Sequence, residues 1–292
     1  MSTVLHEQGL FAGGPIWGGL RRLSSDVEVH AHDFVEIAVI GTGRGTHMTA
    51  RGEHGLRHGQ AIVLRPGAWH GFSDCADLVV ANCCLSAQAL RSELGGVLQV
   101  PALRRLLWNE PVGAGSRGVA VTDLGPDAAD EAIDQIGLLE ADLTGARPRA
   151  GRRLGRLVTV LGILADASAP DAAAPEPHPA VAAAIARMEA APADAWRLDD
   201  LAHAVSLDPD YLRRLFVRHV GVSPLNYLAR IRAERAVALL ANSDLPAARV
   251  GAAVGWDNPT YFARRFRELV GLTPTAYRAR TKPPGDADRH RR

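Results

Sequence analysis

Residues 208–227 read DPDYLRRLFVRHVGVSPLNY, and residues 258–277 read NPTYFARRFRELVGLTPTAY. Tyr211, Leu212, Arg214, Phe216, Gly221, Ser223, Pro224 and Tyr227 of the first stretch are matched, each fifty positions on, by Tyr261, Phe262, Arg264, Phe266, Gly271, Thr273, Pro274 and Tyr277. A spacing shared over eight positions makes these two copies of one helical unit. In the first copy Leu198 to Val205 forms a short helix and Ser206 and Leu207 turn. Asp208 then caps a second helix that has Pro209 at its first position. The second copy repeats this with a helix over 247–254, a turn at Gly255 and Trp256, Asp257 as cap, and a helix from Asn258 to Val270. Each copy is therefore a helix-turn-helix. Tyr211, Leu212, Leu215, Phe216 and His219 share the buried face of the first, and Tyr261, Phe262, Phe266 and Leu269 that of the second. The opposite faces carry Asp210, Arg213, Arg214 and Val217, then Pro259, Thr260, Ala263, Arg264 and Arg267.

Between the copies, Pro224 to Asn242 is strongly helical, with Leu225, Leu228, Ile231, Ala236, Leu239 and Leu240 at core spacing. Some 18 residues at about 1.5 Å each make a rod of roughly 27 Å. One turn of B-DNA is about 34 Å, so the rod suits two recognition helices in successive major grooves. Charge agrees with this. Residues 178–292 hold 18 Lys and Arg against 12 Asp and Glu, a balance of +6, and residues 1–177 balance at −5. The basic half is the one that contains the repeat. All the basic residues except Lys282 are arginine, which the codon bias of a GC-rich genome explains.

LDPDYLRRLFVRHVGVSPLNYLARIRAERAVALL, followed by VGAAVGWDNPTYFARRFRELVGLTPTAYR, resembles the DNA-binding domain of the AraC/XylS family of bacterial transcription regulators. The likeness covers about Ala180 to Arg280, and GWDNPTYFARRFRE is its most specific segment. By position, the resemblance implies base-edge readout from Asp210, Arg213 and Arg214, with Arg218 beside them, and from Pro259, Thr260, Ala263 and Arg264. An arginine there pairs with guanine, Thr260 donates or accepts, and Ala263 meets only a thymine methyl. Family members often carry larger polar side chains at the Pro259 and Ala263 positions. This departure shifts the second helix towards gripping phosphates through Arg264, Arg265 and Arg267. The implied partners are double-stranded promoter DNA, RNA polymerase and a second copy of the chain.

The first half follows another pattern. From Glu28 to Ala81 short apolar segments alternate with glycine turns, which predicts a small antiparallel β-barrel. His30, His32 and Glu36 are separated by even numbers and so share one face of a regular strand. His70 follows Pro66 and Gly67. This resembles the HxHxxxE and PGxxH motifs of cupins, and also the sensor domain that precedes the DNA-binding domain in many AraC-type regulators. The resemblance covers about residues 20–85. In metal-dependent cupins the matching positions bind a divalent ion, so His30, His32, Glu36 and His70 are the set for zinc, iron or nickel. Related sensor barrels use the same positions to contact a small-molecule effector directly, or merely to pack. All three readings stay open, and no cofactor is required. His47, Met48, Arg65, Trp69 and Phe72 are expected to line the same pocket, with Arg65 as a carboxylate partner.

Length and composition, 292 residues with 47% hydrophobic and 22% charged, allow two domains with separate cores. The expected fold is α+β: residues 1–165 form a cupin-like effector-sensing and dimerising domain ending in a helical hairpin, and residues 180–281 form the all-α DNA-binding domain. The stretch 166–179, DASAPDAAAPEPHP, is the expected linker, and residues 282–292 a disordered basic tail. Pro126–Ala146 and Gly151–Ala165 carry Ile133, Ile136, Leu139 and Leu143, then Leu154, Leu157, Val158, Leu161 and Leu164, at helical spacing. Such a hairpin covers a sheet and can dimerise through its outer face. No stretch approaches the roughly 20 apolar residues of a membrane helix, and Met1–Gly9 lacks a leader pattern, so a cytoplasmic location is expected. Cys75, Cys83 and Cys84 lack metal or disulfide spacing and read as small buried hydrophobes. The expected function is a ligand-responsive transcription regulator of promoter DNA, with activation as the expected mode. The alternative is a metal-dependent cupin enzyme with an accessory DNA-binding segment, although the barrel sequence offers no separate general acid or base.

Overall fold

Glycine-punctuated apolar segments build ten strands among the described residues of the computed structural model, which are 4–5, 10–11, 14–91, 94–113, 115–144, 149–168 and 178–281. The core of the expected linker and the expected tail from Lys282 onward lie outside those residues. The strands are β1 (Val4–Leu5), β2 (Ile16–Leu23), β3 (Val27–His32), β4 (Val35–Ile40), β5 (Arg44–Thr49), β6 (Gly52–Gly55), β7 (Gln60–Leu64), β8 (His70–Ala76), β9 (Leu78–Leu85) and β10 (Val119–Asp123). They pair in two five-stranded sheets, β1-β3-β8-β5-β6 and β10-β7-β4-β9-β2. Every pairing is antiparallel except β1 with β3. The motif pattern did not reach β2 or β10, which form the two edges of the second sheet.

Strand β4, VEIAVI, is buried at every position because both its faces are covered. Val35, Ile37 and Val39 pack with Ile136, Leu139, Leu157 and Leu161 of the hairpin α1 (Pro126–Thr144) and α2 (Ala150–Ala167). Ala38 and Ile40 alternate to the barrel interior, among Ile62, Leu64, Phe72 and Leu78. Helix α2 runs two residues further than the periodicity predicts. Two of its expected core residues face outward: Leu154 is 43% and Val158 51% exposed, with Leu138 of α1 at 43%. Cys83 and Cys84 are buried as expected, but Cys75 is only half-buried.

The second domain comprises α3 (Pro179–Ala190), α4 (Leu198–Ala204), α5 (Pro209–Val220), α6 (Pro224–Asn242), α7 (Ala247–Ala253), α8 (Pro259–Val270) and α9 (Pro274–Thr281). Helices α4–α5 and α7–α8 are the two helix-turn-helix units. Asp208 caps α5 by accepting from the Tyr211 N–H at 3.0 Å. The matching cap of α8 is Asn258, accepting from Tyr261 at 2.9 Å. The expected cap Asp257 lies one residue too early, since fifty positions from Asp208 is Asn258. Both helices end at a left-handed glycine, Gly221 with φ 85° and Gly271 with φ 89°, a conformation that costs a β-carbon residue energy. Those two glycines are fixed points of the repeat for that reason.

Each unit has its own core, and the barrel domain contributes to both. Leu212, Phe216, Tyr227 and Ile231 pack with Val181 and Met188 of α3 and with Trp108, which follows β9 in a run of short helical pieces. Phe262, Phe266, Val270 and Tyr277 pack with Val237 and Leu240 of α6 and with Ala31 and Trp69 of the barrel. Helix α6 is buried nearly all round, and its buried set includes Arg230, Arg232 and Glu234. Leu225, expected in the core, is 43% exposed instead.

A candidate DNA-reading surface and a barrel site

On α5, Asp210, Arg213, Arg214 and Arg218 are all exposed, as are Pro259, Thr260, Arg264 and Arg267 on α8, with Ala263 and Arg265 half-buried. Arg213 lies 3.6 Å from Asp210, an exposed pair that a phosphate or base can exchange at little cost. Arg265 is held by Glu268 at 2.7 Å and is therefore less available than its neighbours. Tyr211 and Tyr261 do not join the buried faces. They are 42% and 43% exposed. The Arg214 guanidinium lies 5.8 Å from the Tyr211 ring centroid, and Arg264 stands 5.4 Å from that of Tyr261. A guanidinium over an aromatic face is held electrostatically while its donors stay free. The sequence signal for this pair was a tyrosine three residues before an arginine, present in both copies.

Inside the barrel, β3 and β8 set His30 directly opposite His70, their ring centroids 4.3 Å apart. His32 Nδ1 sits 2.8 Å from the Phe34 carbonyl, which accepts only, so Nδ1 carries the proton and Nε2 a lone pair. That Nε2 lies 3.4 Å from Glu36 Oε2. His47 Nε2 lies 3.4 Å from His70 Nδ1, which leaves His70 Nε2 on the other side of its ring. His32 and His70 are fully buried, Glu36 is 3% exposed, and donor atoms of all three lie within 4.8 Å of one another. These three could hold a metal ion. Burial pushes the His32 imidazole down to about 4, holds His70 well below the ordinary histidine value, and raises Glu36 to about 7. Burial also lowers His47 to about 4. At neutral pH these imidazoles are uncharged, and their free nitrogens are Lewis bases. His32 Nε2, His70 Nε2, Glu36 Oε1 and His47 Nδ1 make no hydrogen bond. His30 is only half-buried, its Nδ1 against the Glu28 carbonyl at 2.9 Å. It stands beside the trio rather than within it. Phe72 walls the cluster, 5.3 Å from the His47 ring and 5.9 Å from His70.

Two expected pocket residues point elsewhere. Arg65 is fully buried, but its guanidinium donates from Nε and Nη2 to Glu234 of α6 at 2.9 and 2.7 Å and from Nη1 to the Leu107 carbonyl at 3.3 Å. It also lies 4.2 Å from the Trp108 ring. It is committed to the DNA-binding domain, not to an effector carboxylate. Arg230 donates to Glu234 at 3.4 Å, to the Leu269 carbonyl at 3.1 Å and to the Pro66 carbonyl at 3.4 Å. Trp69 packs edge-on to Tyr277 in the core of the second unit. Gly67, with φ 81°, lets this loop approach closely: a β-carbon there would come within 3.0 Å of Val237 and 3.1 Å of Val270. Residues 65–70 thus end at His70 in the barrel and lie along α6 and α8. Beside Trp69 a cleft of about 710 Å³ opens between the domains, lined by Arg117 from the barrel side and by Ala263, Arg264 and Arg267 from α8.

A family model described as an AraC-like ligand binding domain matches residues 22–108, and one described as a helix-turn-helix domain matches residues 201–280. The HTH-type transcriptional activator RhaR of Escherichia coli (strain K12) is 23% identical over 256 residues, covering 85% of this chain and 86% of that protein. RhaR of Salmonella dublin is 22% identical over 253 residues, with the same coverage. Among solved structures, ToxT from Vibrio cholerae superposes with a TM-score of 0.53 at 11% identity over 92% of this chain and all of that one. Its unsaturated-fatty-acid-bound form gives 0.50 at 13% identity over 91% of this chain and 96% of that one. At such identity the likeness is one of fold, a cupin-like sheet domain joined to a helical one. No helix among the described residues is long and apolar enough to cross a membrane.

Proposed function

This chain belongs to the AraC family, ligand-controlled DNA-binding transcription regulators, and on that premise we propose that the loop of residues 65–70 carries the control from barrel to DNA. One observation bears the reading: the same six residues end at His70 in the buried cluster and join α6 through Arg65 and Glu234. An effector that moves His70 must strain or release that junction. It controls the protein only by binding the two arrangements unequally.

In the joined arrangement Ala263, Arg264 and Arg267 look across the cleft at Arg117. A cleft of this size admits a small molecule and not a duplex, so the second unit reads DNA after the domains part. Arg213, Arg214 and Arg264 then meet base edges, Asp210 and Thr260 complete the readout, and Arg218 and Arg267 hold phosphates. Pro259 and Ala263 offer only apolar contact. The chain acts as a homodimer through the outward Leu138, Leu154 and Val158, and it activates by touching RNA polymerase, as an activator like RhaR suggests. The test is selection of genomic fragments by the full-length protein, followed by footprinting. Protection of two major-groove segments per protomer, about 10 bp apart on one face of the duplex, is expected. Binding without preference over competitor DNA at every salt concentration rules the reading out.

A further inference from the structure

We propose that the barrel domain docks on the DNA-binding domain twice, at one site repeated in the two units, each time with a tryptophan, and that these two latches open separately. This deepens the reading in which the loop of residues 65–70 carries the control, and it rests on that reading.

The fifty-residue repeat makes the two docking sites equivalent. In the first unit Trp108 lies 4.9 Å from the Tyr227 ring, which stands edge-on to Phe216 at 5.5 Å. In the second, Trp69 lies 6.3 Å from Tyr277, which stands edge-on to Phe266 at 5.8 Å. Tyr227 and Tyr277 are fifty positions apart, as are Phe216 and Phe266, whereas the tryptophans belong to neither copy. The match extends to the end of each recognition helix, where carbonyls of the last turn need donors from outside the helix. The carbonyls of His219 and Leu269, again fifty apart, accept from Asn109 Nδ2 at 3.0 Å and from Arg230 Nη1 at 3.1 Å. A β-carbon on Gly221 would stand 3.9 Å from the Asn109 carbonyl oxygen, and one on Gly271 would stand 3.9 Å from Trp69 Cδ1. Each unit thus offers the barrel domain the same feature, an aromatic slot at the C-terminal end of its recognition helix. The base-reading residues sit towards the other end.

The docking is built to reverse. Trp69 Nε1 and Trp108 Nε1 are both buried without a hydrogen bond, a cost that water relieves once a latch opens. The two latches are tied differently. Trp69 adjoins His70, and the Tyr277 hydroxyl makes no hydrogen bond, so a shift of His70 reaches this latch directly. Trp108 lies 4.2 Å from the Arg65 guanidinium, which is bidentate to Glu234, and the Tyr227 hydroxyl donates to Glu189 at 2.6 Å. This latch stays shut while the ion pair holds. With both shut, Arg213 and Arg214 of the first unit are exposed, whereas Arg264 and Arg267 of the second line the cleft. Opening the Trp69 latch alone frees the second unit and leaves the first one held.

The experiment is amide exchange read by mass spectrometry on the full-length chain. In Trp69→Ala, residues 259–281 should exchange at least about tenfold faster while residues 209–220 keep the wild-type rate, and Trp108→Ala should give the reverse. Trp69→Phe and Trp108→Phe keep a ring in each slot and should hold the wild-type rates. Where an alanine variant melts below the assay temperature, Trp69→Leu or Trp108→Leu fills the slot without an aromatic edge and is read by the same criteria. Either substitution quickening both units alike, or neither quickening any, overturns the proposal. Phenylalanine variants that exchange as the alanine ones do overturn the aromatic slot. A gel shift on the same samples keeps the two readings distinct. Specific DNA binding with one shared exchange response ends this proposal and leaves the regulator standing, whereas separate responses without specific binding leave the latches and remove the regulator.

Discussion

Arg214 and Arg264 occupy the same position in the two units, and each rests beside the tyrosine three residues before it. Truncating either to alanine removes the proposed base or phosphate contact without disturbing a core. Each variant should lose about 1–3 kcal/mol of operator affinity, roughly 5- to 150-fold, with an unchanged melting temperature. Affinity unchanged from the wild type in both variants, measured by titration at fixed salt, contradicts the two-groove arrangement. Tyr211→Leu and Tyr261→Leu should cost less, about 0.5–1 kcal/mol each. The arginines were legible from the repeat because their spacing puts them opposite Leu212 and Phe262. The tyrosines were not: they lie at the edge of the apolar stripe, where helical period alone does not decide between core and solvent. The histidines and Glu36 were legible as a set, but that His70 has His30 opposite it across β3 and β8 and His47 of β5 against its Nδ1 depends on strand register. Residue spacing within a single strand does not reveal that.

At the level of elements, the hairpin α1–α2 covers the sheet with one face and leaves Leu154 and Val158 outward one turn apart. Apolar side chains at i and i+4 form a stripe on a helix surface. Replacing both with aspartate should turn the proposed dimer into a monomer in sedimentation velocity while leaving thermal stability within about 0.5 kcal/mol; a sedimentation coefficient that does not change would rule this stripe out as a dimer surface. Helix α6 was legible as a helix, and its caps and length follow from Ser223, Pro224 and the run to Asn242. Its buried Arg230 and Glu234 were not legible, because Arg65, the partner of Glu234, lies 169 positions away from it. Local sequence carries no trace of so distant a pairing. For the same reason Arg65 read as a pocket residue from its place beside the PGxxH motif, and the three-dimensional contact reassigned it.

For the whole molecule, the joined arrangement combines one buried, bidentate ion pair, with a second arginine beside it, and the shared packing of Ala31, Trp69 and Trp108. Removing one partner leaves charge stranded in the interior, a loss of about 3–5 kcal/mol in comparable pairs. Glu234→Ala should therefore part the domains, seen as a larger radius of gyration in solution scattering and faster amide exchange in residues 65–70, with each domain still folded. The double variant Arg65→Met, Glu234→Leu, which replaces the pair by apolar groups of similar size, should restore the compact form. A radius unchanged in the single variant would show that other contacts hold the domains. Helix α6 then has a further consequence. It is at once the spacer between the two recognition helices and the surface on which the barrel domain rests, so its length is fixed from two directions. One inserted residue would turn everything beyond it by about 100° and shift it about 1.5 Å. Arg230 or Glu234 would leave its partner, and the second reader would face away from its groove. Seven inserted residues nearly restore the angle but lengthen the rod by about 10 Å. The helix works as a ruler: relatives built on this plan can exchange side chains along it, but an insertion or deletion anywhere within it would break sensing and reading together.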